Sequence, residues 1–123
     1  MTEENLASND SEIFDNDSFL LGGGLTQSGL LTLGENLIAN SLLGRVATSG
    51  NLVELDLGAT DGSEKVVGIL IYPIDATVAN KNCQYYYSGE FNKSLVNWPA
   101  SVDTDAEKEA VFDGSPIVLK TPE

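Results

Sequence analysis

The chain has no histidine, one cysteine, one tryptophan and six basic residues against nineteen acidic ones, for a net charge of -13 over 123 residues. Each scarcity excludes something. Without histidine, the commonest general base and the commonest metal ligand are both missing. Cys83 stands alone, which rules out an internal disulfide framework and fits a chain made and used in a reducing compartment. Its plain reading is a buried, inert thiol. The excess of acid repels a phosphate backbone or an anionic bilayer, so neither nucleic acid nor membrane is expected as a direct partner. No segment reaches the roughly 18 uninterrupted apolar residues of a membrane span, and the acidic N-terminus lacks the basic, apolar character of a secretory leader. The expectation is a soluble protein, intracellular when made.

Motif searches remove further classes. Cys83 has no partner to activate it, and no Gly-x-Ser-x-Gly elbow occurs. Asp15, Asn16 and Asp17 begin like a calcium loop, but Leu20 stands where glycine is needed and Thr26 where the bidentate glutamate belongs. Gly24 and Gly29 are spaced as in a phosphate-binding loop, yet Leu30 and Leu31 occupy the positions of the lysine and hydroxyl that hold phosphate and magnesium. No catalytic residue, metal site or cofactor is assigned.

What is present divides the chain in two. Residues 1–44 contain no Lys or Arg, and Glu3, Glu4, Asp10, Glu12, Asp15 and Asp17 crowd the first 18 positions. Such a stretch cannot bury enough apolar surface to offset an ordering entropy of roughly 1 to 2 kcal/mol per residue, so disorder in the isolated protein is expected there. Ile13, Phe14, Phe19, Leu20 and Leu21 are out of place in a plain solubilising tail, because large apolar side chains in an arm await a surface to cover. Residues 1–29 therefore read as an acidic, glycine-containing arm, with Gly22, Gly23 and Gly24 as a flexible joint. Residues 30–123 read as the folded domain, long enough to need no staples.

Short β-type runs fill that domain. Leu37–Ala39, Leu42–Ala47 and Leu52–Leu57 are expected strands, with a turn at Ser49, Gly50 and Asn51. Asp61 and Gly62 turn into a nearly continuous apolar run, Val66–Tyr72, whose β-branched residues favour a strand buried on both faces. Gln84–Tyr87 and Glu90–Val96 follow as two strands around Ser88 and Gly89, with Tyr85 and Tyr87 on one face and Tyr86 on the other. Trp98 before Pro99 closes the second of them. One helix is signalled by a capping box at Thr104 and Glu107 and by a stop at Gly114, with Ala106, Ala110, Val111 and Phe112 as its expected buried stripe. A final strand spans Ser115–Lys120. The fold class is α+β, mainly β.

In order, "TSGNLVELDLGATDGSEKVVGILIYPIDAT", "YYYSGEFNKSLVNWP" and "TDAEKEAVFDGSPIVLK" resemble the lambda-type bacteriophage head decoration proteins over about Leu30 to Lys120. The specific marks are Asp61-Gly62 leading into Val67-Gly68-Ile69-Leu70, Ser88-Gly89 with Phe91 behind it, Trp98-Pro99, and the acidic helix before Gly114. The resemblance implies a small β-rich domain related to the β-clip group, with one short C-terminal helix and an extended N-terminal arm. It implies homotrimers on the outer surface of the expanded head, at threefold and quasi-threefold positions, contacting the major capsid protein and holding the shell against packaged DNA. Under it, Phe14, Phe19, Leu20, Leu21 and Leu25 are the expected capsid-facing anchors. Trp98, Phe91 and Tyr86 are expected to pack the core or the trimer seam. Two rival readings come from the residues alone: an acidic DNA mimic, suggested by the charge, and a carbohydrate-binding module, suggested by Tyr85–Tyr87 and Trp98.

Overall fold

The computed structural model describes residues 19–121. Their elements run β1 (Leu20–Leu31), β2 (Asn36–Leu37), β3 (Leu42–Arg45), β4 (Leu52–Glu54), β5 (Val66–Leu70), β6 (Ile74–Asp75), β7 (Lys81–Asn92), a 3-10 turn (Lys93–Leu95), α1 (Asp105–Ala110) and β8 (Ile117–Lys120). Six strands make one sheet in the order β1-β4-β3-β5-β7-β8, and a further β1–β7 pairing closes five of them into a ring. β2 and β6 form a separate two-stranded ribbon. The fold is mainly β with one short helix, as its class was read from the sequence.

Strand alternation builds two cores rather than one. In β3 and β5, Leu43 and Leu70 join Leu31, Leu52, Cys83 and Tyr85 in one cluster. Their neighbours Leu42 and Ile69 join Leu55, Phe91, Val102, Phe112 and Ile117 in the other. Adjacent side chains of a strand point to opposite faces, so a run apolar at every position must bury both. This is the physical sense of "VGIL" at the centre of β5.

Glycine makes the close packing possible at two places. A β-carbon on Gly68 would overlap the Tyr85 ring and stand 2.6 Å from the Tyr86 carbonyl oxygen. Gly62, at φ +106°, completes the Asp61 turn, and a β-carbon there would stand 2.8 Å from the Arg45 carbonyl oxygen. The Asp61 carboxylate accepts from the Ser63 amide and hydroxyl at 3.0 and 2.6 Å. Those two bonds hold its pKa below the ordinary carboxylate value.

Several expectations are corrected. The glycine run is not a joint outside the domain: Gly22–Gly24 lie within β1, which pairs with β7 from Leu20 to Leu31. Gln84–Tyr87 and Glu90–Val96 are not two strands around a turn. One 12-residue strand runs through Ser88 and Gly89, where Gly89 at φ +140° lies against Gly24 and Phe91 and absorbs the irregularity. The helix has its capping box at Thr104 and Glu107. Its buried stripe is different, because Ala106 and Ala110 are exposed and the anchors are Val111 and Phe112 just beyond it. A six-residue helix is under two turns, and it is held by the burial of Val111 and Phe112 rather than by a face of its own.

Candidate functional site

The long strand β1 is the place where this fold is least complete. One edge pairs with β7 between Leu20 and Leu31, with three shifts in register, while toward β4 it is paired at Leu31 with Leu52 alone. From Leu20 to Leu30 its other edge therefore has no strand partner among the described residues, and Leu25, Thr26, Gln27 and Ser28 are exposed. No charged residue and no proline occurs from Ser18 to Gly34. Edge strands are ordinarily blunted by such residues, because free N–H and C=O groups recruit another strand. Here the blunting is limited to shifts in register near the N-terminal end of β1.

The anchors expected in the arm fall at different places. Phe14 lies outside the described residues. Phe19 stacks on Phe91, their ring centroids 5.1 Å apart, and its carbonyl oxygen accepts the Asn92 amide at 2.7 Å. Leu20 packs against the same cluster, and its side chain covers Gly24. Leu21 is half-buried, whereas Leu25 stands 51% exposed. The structure thus brings Phe19 and Leu20 together on the domain's own surface and leaves Leu25 apart from them.

The other aromatic residues pack inward. Phe91 is fully buried, and the Tyr86 ring lies 5.0 Å from it. Tyr85 is buried with its hydroxyl accepting from Arg45 Nη2 at 2.8 Å, so only Tyr87 of the triplet faces solvent. Tyr85 to Tyr87 accordingly form no stacking platform. Trp98 meets Phe112 edge-on at 6.4 Å, and Lys108 Nζ lies 5.5 Å over its ring. The edge contact with Phe112 and covering by the Lys108 cation both hold Trp98 against the helix and the turn after it rather than offering it to a sugar.

Four further exposed apolar residues escaped the sequence reading. Leu33, Ile38, Tyr72 and Val78 are 55%, 60%, 60% and 84% exposed around the β2–β6 ribbon. They are scattered over residues 33–78 and show no periodicity. The signal available was composition alone: large apolar residues beside turn residues.

Chemically active groups are sparse among the described residues. No group of three or more potential metal ligands occurs there. Burial pushes the Cys83 thiol above its ordinary pKa, away from the thiolate that reacts. Burial, with Glu35 and Asp56 nearby, raises Glu54. The described residues thus form a small, mainly β protein with one long strand edge left open among them. Residues 4–118 match the family model of the bacteriophage lambda head decoration protein D, and the chain belongs to that family. It is a structural protein of the phage virion, associated with the capsid. The match begins at residue 4 and so takes in most of the acidic sequence ahead of β1. No curated protein matches the chain.

Proposed function

We propose that this protein cements the phage head. It binds as a homotrimer to the outer surface of the expanded capsid, at threefold and quasi-threefold positions, and holds the shell against the pressure of packaged DNA. Its partner there is the major capsid protein, and it is made in the host cytoplasm before joining the virion. The observation that carries this reading is the open, uncharged edge of β1, continuous with an acidic arm inside the family match. An extended segment of the capsid adds to the part of that edge from Thr26 to Leu30 through main-chain hydrogen bonds, while Phe14, Phe19, Leu20, Leu21 and Leu25 supply side-chain anchors. Neither catalysis nor a cofactor enters.

The energetics suit a trimer. Ordering one arm on a partner costs about 2 to 5 kcal/mol, so a single arm binds weakly. After one arm docks, the others experience an effective concentration on the order of millimolar. A ligand that binds only the expanded lattice stabilises it by RT ln(1 + [L]/Kd), roughly 4 kcal/mol per site at a thousandfold excess over Kd.

Deletion of residues 1–21 tests the reading. Trimers should persist in analytical ultracentrifugation while co-sedimentation with expanded heads falls sharply, and unexpanded shells should retain little of either form. Full binding by the deleted trimer would remove the arm from the mechanism.

A further inference from the structure

We propose that the N-terminal part of β1 is a self-occupied anchor, so that Phe19–Leu25 must leave β7 before the arm docks. This rests on the arm reading above and adds a gate to it. Phe19 and Leu20, which that reading assigns to the capsid, already have a seat on Phe91 and the cluster around it. The same side chains cannot occupy both surfaces at once.

The two halves of β1 are held very differently. From Thr26 to Leu31, six successive residues pair with Tyr86 to Lys81 without a break. Between Leu20 and Thr26 the register shifts three times, at Leu20/Gly22, Gly22/Leu25 and Leu25/Thr26. Each shift leaves a residue out of the ladder and weakens the pairing locally. Gly22, Gly23 and Gly24 lie in this half, where they bury no side chain and regain the most backbone freedom on release. The boundary between Leu25 and Thr26 is therefore where β1 parts: a firm half stays in the ring and a loosely paired half comes away.

Such a gate has two consequences. In the free protein Phe19 and Leu20 are covered by the protein's own β7 instead of standing exposed as an aggregation-prone patch. Apparent affinity is set by the open fraction f, since the observed Kd is the intrinsic Kd divided by f.

The test is the full chain carrying Gly22→Cys and Glu90→Cys, which ties down the half proposed to leave. These positions are antiparallel partners, and the Cα atoms of such partners lie about 4.5 to 5.5 Å apart, within the reach of a disulfide. Native Cys83 is buried and stays out of the exchange. Binding of the oxidised trimer to expanded heads should be at least about tenfold weaker than binding of the same trimer after reduction, the change expected if f falls by that factor. Equal binding by the two forms overturns the gate. The reduced form is its own folding control, and the deletion of residues 1–21 separates the two ideas. Loss of binding on deletion together with full binding by the oxidised form removes the gate and keeps the arm. Full binding after deletion removes both.

Discussion

Gly68 shows how a single absent methyl sets this fold. Its backbone runs beneath the Tyr85 ring, and a β-carbon would meet that ring and the Tyr86 carbonyl together. A ring can tilt, but a carbonyl in the β5–β7 pairing cannot retreat without breaking the ladder. Gly68→Ala should destabilise the protein by about 1 to 3 kcal/mol, the usual cost of overpacking, as measured by urea unfolding. Gly58→Ala is the control, since its nearest neighbour would be Asp56 Oδ1 at an ordinary 3.5 Å. That substitution should leave the midpoint within about 0.5 kcal/mol of the parent. Glycine content was plain in the sequence, but which glycine bears a tyrosine was not, because the contact joins residues 17 positions apart in different strands.

At the scale of elements, α1 and β4 make opposite statements about acid. Glu107 accepts from the backbone amides of Asp103 and Thr104, at 3.0 and 3.2 Å, and these bonds hold its pKa below the ordinary value. A depressed folded pKa contributes stability above the unfolded value, near 4.5, that is lost as pH falls through the folded one. Thr104→Ala removes the cap to the Glu107 amide and should cost about 1 kcal/mol by thermal or urea unfolding at pH 7. Glu54, in β4, is raised by burial first, then by Glu35 and Asp56. Its raised folded pKa favours the protonated protein, a contribution fully present below the unfolded value of 4.5 and lost as pH rises through the folded one. Glu54→Gln should therefore raise stability at pH 7, with the gain shrinking as unfolding is repeated toward pH 4. A gain independent of pH would sink the electrostatic explanation.

For the whole molecule, the ring closed by β1 and β7 decides what can move. Cys83 sits in β7 opposite Gly29, inside the unbroken half of the pairing. It should resist thiol reagents in the native protein and react at a rate that follows global unfolding as denaturant is added. Fast labelling in buffer would show instead that the firm half of β1 opens, and the proposed boundary at Leu25/Thr26 would then be misplaced. The net charge of -13 is that of a molecule whose own field repels phosphate.

Local chemistry decided much of this protein in the sequence itself. The capping box at Thr104 and Glu107, the Asp61-Gly62 turn, the doubly buried β5 and the mainly β class need only neighbours a few residues apart, and all were legible. The order of the family's marks likewise pointed to the phage head decoration family. Tertiary structure alone decided the rest. Glycine's backbone freedom makes "LLGGGLTQSGLL" a natural flexible joint in isolation, and only the complementary edge of β7 turns it into a strand. Phe19 and Leu20 look like free anchors until Phe91, some 70 residues on, provides their seat. Long-range pairing of this kind leaves no local periodicity, and so it becomes visible only when the chain has closed on itself.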